Sequence, residues 1–427
     1  MVKFLFYCSL FVLLSCTSRA PVDLAKLSAS QWEEDFNYFR KLQNDSFAGF
    51  TPEIRKKFND ESEATLQRIK KLSHIKILME FSKMAALLEE AHTEFDLTIP
   101  KTGFKRFPLT LCYFDTYLYI ISAGDSNKIM PGKRLIKIDG VSVDTVLEKL
   151  KPYISHDNDL GLLYTGPELM VIPEVLFSLD IIKKTDEALF EISDDSGTVS
   201  LQKVKSIDYK EYENMNKIMA YNHIPYYLNN PEKYYWYSYL EKENTCYLNI
   251  NKLLNQKGEK SLKQTITEFF KDVDIKKPDN IVIDFRNCQT GHYEFGQPLL
   301  EEIKKRPEIN QRGKLFIVTG RTTFAASLVT SVFLKTETNA LLIGEPARTK
   351  PNYADNINRE TMPNSKLYFT CTNRIKVHAE NTGWSDYLPV DIYINPSFEK
   401  YRSGKDEVLE KIISIKGPVP GEKINQP

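Results

Sequence analysis

The sequence predicts a multi-domain α/β protein with an N-terminal helical bundle, a β-rich module and a βαβ core built on a mostly parallel sheet. Three observations support this prediction. Apolar residues recur at helical spacing from about residue 28 to 97, β-rich runs begin near residue 107, and strands alternate with helices over roughly the last 180 residues.

Composition excludes several classes of function. The 427 residues include 57 Lys and Arg and 57 Asp and Glu, so the chain lacks the basic excess typical of nucleic-acid-binding proteins. Contents of 42% hydrophobic and 12% aromatic residues exclude an intrinsically disordered chain. The six cysteines include no C-x-x-C pair, and we expect neither a metal site nor a cofactor.

The N-terminal segment is typical of an export signal. Lys3 precedes an apolar run, residues 4–14, that is shorter than the about 20 residues of a membrane-spanning helix. Its end, Leu13-Leu14-Ser15-Cys16, resembles a bacterial lipobox, with an ordinary secretory signal as the alternative. We therefore expect residues 1–15 to be removed and Cys16 to be lipidated. This predicts a lipoprotein anchored in a bacterial cell envelope, in the periplasm or at the outer membrane or surface. Export would allow one disulfide among the cysteines at positions 112, 246, 288 and 371.

Residues 16–100 combine this N-terminus with a small helical bundle. Ser28 or Ser30 is a candidate N-cap, and Thr51-Pro52 is a helix start with proline at its first position. The apolar residues that share one face of the first helix are Trp32, Phe36 and Phe39.

Residues 101–205 are β-rich. Runs 109–114 and 117–121 flank an Asp-Thr turn and predict a hairpin, and residues 131–143 alternate around Asp139-Gly140 before a helix. This segment resembles a PDZ module, with another small β-rich insertion as the alternative. Residues 206–240 form a connector whose tyrosine-rich stretch, 221–239, suits either inter-domain packing or contact with peptide or carbohydrate.

Residues 241–415 have the clearest pattern and precede a tail, 416–427. Strands at 245–250, 280–285, 314–319 and 340–344 alternate with helices at 262–273, 298–305 and 324–334. Right-handed crossovers bring the carboxyl ends of parallel strands to one edge, where loops 286–291, 320–323 and 345–350 should emerge together. Ala325 and Lys350 can therefore be neighbours in space.

Five motifs, in this order, resemble the tail-specific, or C-terminal processing, serine peptidases. They are Ala91-His92-Thr93, Ile283-Asp284-Phe285-Arg286-Asn287, Gly320-Arg321-Thr322-Thr323-Phe324-Ala325-Ala326, Gly344-Glu345-Pro346 with Lys350-Pro351-Asn352, and Leu388-Pro389-Val390-Asp391-Ile392. The resemblance spans roughly residues 30 to 415. It implies a ClpP/crotonase-like core and peptide-bond hydrolysis near protein C-termini by a Ser/Lys dyad with a backbone oxyanion hole.

The positions that the resemblance assigns to catalysis are altered in this chain. Ala325 occupies the nucleophile position, whereas Lys350 stands where the general base falls, with a solvated loop lysine as the alternative. In the oxyanion loop, Asn287 is followed by Cys288, Gln289 and Thr290, and the only glycine that remains is Gly291.

Three other residues are candidates for the missing chemistry. Ser327 lies two positions along the helix from Ala325, a rotation of about 200° that should turn it away from Lys350. His92 is either a base near the nucleophile position or a structural residue, and we favour the structural role. Cys288 has no adjacent base in the sequence to activate its thiol.

We therefore expect a peptidase-fold lipoprotein with impaired catalysis that binds peptides or the C-terminal tails of proteins. One alternative is an active serine peptidase that uses Ser327 with Lys350. The other is a carbohydrate-binding envelope protein that uses the tyrosine-rich stretch.

Overall fold

The computed structural model describes residues 22–380 and 382–417, apart from the side chains of residues 353–356. The predicted export segment, Cys16 and most of the predicted tail lie outside the described residues. Within the described part of the chain, no helix has both the length and the apolar character needed to cross a bilayer. The described chain contains a helical bundle, an antiparallel β-rich module and an α/β core, so the predicted fold class is confirmed.

The helical bundle contains α1 (Ala29–Ser46), α2 (Pro52–Ile69) and α3 (His74–Ala86). Each helix begins at a side-chain cap, because Ser28, Thr51 and Ser73 each accept a hydrogen bond from a backbone N–H of the first turn. The inner faces bury a cluster of aromatic rings, namely Phe36, Phe39, Phe58 and Phe81. The predicted helices and the predicted cap at Ser28 are confirmed.

The β-rich module is an antiparallel sheet with helices inserted between its strands. In chain order its elements are β1 (Leu109–Phe114), β2 (Tyr117–Gly124), β3 (Arg134–Ile138), β4 (Val141–Ser142), α4 (Val143–Leu150), α5 (Asp159–Leu169), α6 (Pro173–Ser178), β5 (Glu187–Ser193), β6 (Val199–Lys205), α7 (Tyr209–Asn214) and β7 (Lys217–Met219). The strand order is β1-β2-β3-β5-β6, with β4 paired to β3 and β7 paired to β2. The predicted hairpin is β1 and β2, and the sheet extends beyond residue 205 to include β7.

The core completes the chain. Its elements are β8 (Tyr235–Leu240), β9 (Thr245–Ile250), β10 (Lys252–Leu253), α8 (Leu262–Lys276), β11 (Asn280–Asp284), β12 (Thr290–Gly291), α9 (Gln297–Lys304), β13 (Leu315–Thr319), α10 (Ala326–Glu337), β14 (Leu341–Gly344), β15 (Tyr353–Thr361), β16 (Tyr368–Lys376), β17 (Ile392–Tyr393), α11 (Phe398–Arg402) and α12 (Glu407–Ser414). The main sheet has the order β17-β14-β13-β11-β9-β8 and is parallel except for β8.

The central strands β9, β11, β13 and β14 are buried along their whole length. Helices α8, α9 and α10 contribute to the apolar cluster on one face, and α12 contributes to the cluster on the other. Burial on both faces explains why these strands are apolar runs in the sequence rather than alternating ones.

The hairpin of β15 and β16 was not predicted, and it connects the core to the helical bundle. Phe369 on β16 packs edge-on against Phe39 of α1 with ring centroids 4.8 Å apart. The backbone N–H of Thr370 donates to the carbonyl of Glu94, in the segment that follows α3. These contacts bring the end of the bundle to the edge of the core.

The tyrosine-rich stretch is mainly a packing element. Most of β8, an edge strand of the core sheet, lies within this stretch and within the predicted connector 206–240. Tyr226 packs edge-on against Trp236 and against Tyr247, at centroid distances of 5.5 and 5.1 Å. The four cysteines within the described residues are free thiols.

Candidate functional site

The three predicted loops meet at the carboxyl edge of the core sheet. The Thr323 hydroxyl donates to the carbonyl of Phe285 at 3.0 Å, and the Phe324 N–H donates to the carbonyl of Cys288 at 3.1 Å. The Arg348 guanidinium contacts the carbonyl of Arg321 at 3.4 Å. Residues distant in sequence are therefore neighbours here, as the parallel topology predicts.

Ala325, at the predicted nucleophile position, has a strained backbone. It directly precedes α10 with φ 52° and ψ −115°, a conformation that costs a residue with a side chain about 1–3 kcal/mol. A sharp, strained turn from strand to helix is the geometry that exposes the nucleophile in many hydrolases. Here the turn presents only a methyl group.

Ser327 is fully buried and its hydroxyl is committed to the loops. The hydroxyl donates to the carbonyl of Cys288 at 2.6 Å and lies 2.9 Å from the carbonyl of Phe324. It also accepts a hydrogen bond from the N–H of Phe324 at 3.2 Å. Through these hydrogen bonds, the Ser327 side chain links the start of α10 to the predicted oxyanion loop.

Cys288 is also turned into the protein. Its thiol is completely buried, and this burial raises the pKa of the thiol to about 12, so the reactive thiolate is not populated near neutral pH. Its backbone N–H donates to the carbonyl of Phe285 at 3.0 Å. Both groups are therefore unavailable for nucleophilic attack or for an oxyanion.

The rest of the oxyanion loop has structural contacts. The side-chain oxygen of Gln289 accepts hydrogen bonds from the Tyr164 hydroxyl at 3.0 Å and from Arg348 at 2.9 Å. Thr290 and Gly291 form β12, which pairs with β10. Gly291 has φ 137°, and a Cβ there would lie 2.4 Å from the carbonyl oxygen of Leu253, so this strand pairing requires a glycine.

His92 lies next to the turn between β13 and α10 that contains Ala325, here called the nucleophile turn. Its ring stacks on that of Phe324, the residue before Ala325, with centroids 4.4 Å apart. Its Nδ1 lies 2.8 Å from the Glu90 carboxylate, which also accepts the backbone N–H of His92 at 3.0 Å. Burial opposes charge on both groups, but each stabilises the charged form of the other. This outweighs burial, raising the pKa of His92 and lowering that of Glu90.

Asp157 links this pair to the loop that carries Lys350. Its carboxylate accepts the N–H of Ala91 at 3.1 Å, the hydroxyl of Thr349 at 2.5 Å and the backbone N–H of Lys350 at 3.0 Å. Lys350 therefore enters the network through its main chain. The side chains of His92 and Arg348 both contact the turn that contains Ala325.

Glu90, His92 and Asp157 also have the spacing of a metal site. One ligand atom from each lies within 4.8 Å of the other two. However, all four carboxylate oxygens already accept protein hydrogen bonds, including those that Glu90 accepts from Thr93 and Thr372. We interpret the cluster as a hydrogen-bond network that orients His92.

A cavity of about 300 Å³ opens beside Phe324 and His92. Helix α5 and the segment that follows α3 provide most of the walls, and Arg348 lies on the core side. The guanidinium of Arg348 lies between the rings of Tyr164 and Phe324, at 3.9 and 4.3 Å from their centroids. Glu94 and Glu168 lie on the cavity wall, and desolvation by the surrounding protein raises the pKa of each carboxyl to about 7, with the charge of Asp96 adding to the shift. Both side chains nevertheless remain exposed to solvent in the open cavity, so this shift is reduced by solvent screening.

Sequence reasoning missed most of these partners. Glu90 stands two residues before His92, and this spacing is the one local pattern from which the pair could have been suspected. Asp157, Tyr164 and Arg348 had no such pattern, because their roles depend on contacts between separate parts of the chain.

Replacing Ala325 with glycine should stabilise the protein. Ala325→Gly removes the clash of a Cβ at positive φ, and after the entropic cost of glycine we expect a gain of about 1 kcal/mol in the free energy of unfolding. Ala326→Gly, at the first residue of α10, is the matched control and should destabilise the protein, because Ala326 has a helical backbone and its methyl group is buried in the core. Denaturant unfolding measures both values; equal losses would show that the turn is unstrained.

The carboxyl groups of Glu94 and Glu168 should make the free energy of unfolding depend on pH. A carboxyl whose pKa is raised from 4.5 to about 7 on folding stays protonated in the folded state while the unfolded state ionises. Stability then falls as the pH rises from about 4.5 to about 7. The ionisable groups that act on Glu94 are Asp96, His92, Arg348 and Glu168, and those that act on Glu168 are Asp96, Arg348 and Arg106.

Glu94→Gln/Glu168→Gln removes both titrations. After allowance for solvent screening, we expect the double variant to melt about 2–4 °C above wild type at pH 8 and to match it at pH 4.5. Thermal melts at the two pH values test this, and a gain of equal size at both would contradict it.

No protein-family model matches the sequence, and no curated protein matches it. Among solved structures, mature CPAF matches with a TM-score of 0.65 and 11% identity, covering 90% of this chain and 96% of its own. Mature CPAF complexed with lactacystin has the same TM-score and identity, with 90% of this chain and 97% of its own covered. The photosystem II D1 C-terminal processing protease matches with a TM-score of 0.41 and 11% identity, over 86% of this chain and 93% of its own. The chain thus has the fold of mature CPAF over nearly its whole described length, and the predicted tail-specific peptidase-like fold is confirmed as a fold.

Proposed function

We propose that this protein is a cell-envelope lipoprotein that uses a peptidase fold to bind polypeptide tails without cleaving them. The observation that carries the proposal is the Ala325 turn. Its strained backbone and the adjacent His92–Glu90 pair are in place, but the side chain at the position of attack is a methyl group.

Two described neighbours, Ser327 and Cys288, are poorly placed to supply the missing nucleophile. The Ser327 hydroxyl is buried and bonded to the carbonyl of Cys288, and the Cys288 thiol is held protonated by its burial. These contacts weigh against the alternative of an active peptidase that uses Ser327 with Lys350. The packing of Tyr226 and Trp236 likewise weighs against the carbohydrate alternative.

Polypeptide remains the best-supported ligand. The fold is shared with mature CPAF, and the tail-specific peptidases that the sequence resembles act on protein C-termini. The cavity beside Phe324 adjoins the nucleophile turn and is large enough for a side chain of a bound peptide.

A comparison of wild type with Ala325→Ser tests the proposal. We expect wild type to bind a labelled unstructured tail peptide in an anisotropy titration without hydrolysing it. Ala325→Ser places a hydroxyl beside His92, and labelling of this serine by a fluorophosphonate should exceed the wild-type background by about 10-fold or more. Ala325→Ser/His92→Ala is the control and should lose the gain.

The wild-type result decides the proposal. Turnover by wild type that is abolished by Ser327→Ala or by Lys350→Ala would establish the active-peptidase alternative. Turnover that survives both changes would point to contamination of the preparation. A folded wild-type chain that binds no tail peptide would overturn the binding function.

The envelope location has a separate test. If Cys16 carries the anchor, the protein should incorporate a radiolabelled fatty acid and sediment with membranes. Cys16→Ser should lose the label and release the protein from the membrane fraction. Membrane association that persists without label would contradict lipidation at this residue.

A further inference from the structure

We propose that the cavity beside Phe324 receives a basic side chain, a lysine ammonium or an arginine guanidinium, of the bound polypeptide. This inference rests on the proposed function and adds a specificity to it. It follows from the charges that line the cavity, from the positions of their partners and from the apolar walls.

Three acidic side chains line this one cavity. Glu94 and Asp96 lie on the segment that follows α3, and Glu168 lies on α5. Asp96 has local partners, because one of its oxygens accepts the N–H and the hydroxyl of Thr98 at 2.7 and 2.6 Å. Among residues 22–380 and 382–417, neither the Glu94 nor the Glu168 carboxylate has a hydrogen-bond donor or an ion-pair partner.

The nearby arginine does not supply the missing partner. Arg348 donates to Gln289 at 2.9 Å, contacts two backbone carbonyls and is held between two aromatic rings. Its charge lowers the pKa of both carboxyls but does not overcome their desolvation. Within the described residues, the cavity therefore contains two solvent-accessible carboxyl groups to which no cation is hydrogen-bonded.

A cation carried on an apolar stem matches this environment. An ammonium or guanidinium would give charge-assisted hydrogen bonds to Glu94 and Glu168 and favour their ionised forms. The apolar part of the lining would pack against the methylene stem of a lysine or an arginine. These apolar lining residues are Phe95, Leu97, Ile154, Leu169 and Ile357.

Peptides that differ at one residue test the inference. The probes are labelled Gly/Ser/Ala peptides with lysine, arginine, norleucine or glutamate at one position, titrated by anisotropy at pH 8 against the full-length protein. We expect the lysine and arginine peptides to bind about 10-fold more tightly than the norleucine peptide, and the glutamate peptide to bind most weakly.

Two variants assign this preference to the cavity. Glu94→Gln/Glu168→Gln should reduce the preference for lysine over norleucine to about 2-fold or less and leave norleucine binding unchanged. Thr165→Lys, which puts an ammonium on the cavity wall, should abolish the preference and provides a second measurement if the double variant unfolds. Glu53→Gln/Glu308→Gln removes the same charge from exposed surface positions and should keep the wild-type preference.

The outcomes separate the two proposals. Equal binding of all four peptides, or a preference that survives both cavity variants, would overturn the inference and leave tail binding intact. If none of the peptides bound, the proposed function would fail, and the inference would fail with it. A preference that also disappears in the surface control would mean that overall charge selects the ligand.

Discussion

The positions of the residues in the candidate site depend on hydrogen bonds to two carboxylates, those of Glu90 and Asp157. Glu90 accepts hydrogen bonds from His92, Thr93 and Thr372, and so joins the end of the helical bundle to the hairpin of the core. Asp157 accepts from Ala91 and from the loop that carries Lys350. A buried carboxylate is stable only when its oxygens are paired, so each of the joined segments must keep its place. The position of His92 against the nucleophile turn depends on this constraint.

The candidate site has a strained turn from strand to helix and a paired histidine, with an alanine at the predicted nucleophile position. The turn at Ala325 remains strained, and the base-like His92 remains buried and paired. At the same time, the substituted oxyanion loop has contacts that glycines could not make, since the Gln289 side chain bridges Tyr164 and Arg348. The residues that replace glycines in this loop therefore form hydrogen bonds within the protein, and these side chains fix the shape of the cleft where an oxyanion hole was predicted.

Elements defined by local patterns could be predicted from the sequence, whereas elements that depend on contacts between residues far apart in the chain could not. The helices, the first hairpin and the parallel core follow from local patterns, such as the cap at Ser28 and the buried run at 280–284, and the structure has them. The hairpin of β15 and β16 was missed because its pattern is interrupted by polar residues and its packing partner, Phe39, lies over 300 residues away in sequence. Helix α5 was missed as well, and with it Tyr164 and Glu168.

The sequence by itself determined the fold class, the order of the parts and the alanine at the position that the family resemblance assigns to the nucleophile, because these depend on residue identity and local spacing. Tertiary structure alone decided which groups surround that position. It directed the Ser327 hydroxyl to the carbonyl of Cys288 and placed Glu90 and Asp157 beside His92. It also placed Glu94 and Glu168 on the wall of one cavity, where no described cation is hydrogen-bonded to them. Hydrogen bonding and desolvation act between atoms brought together by folding, and no local pattern in the chain records those distances.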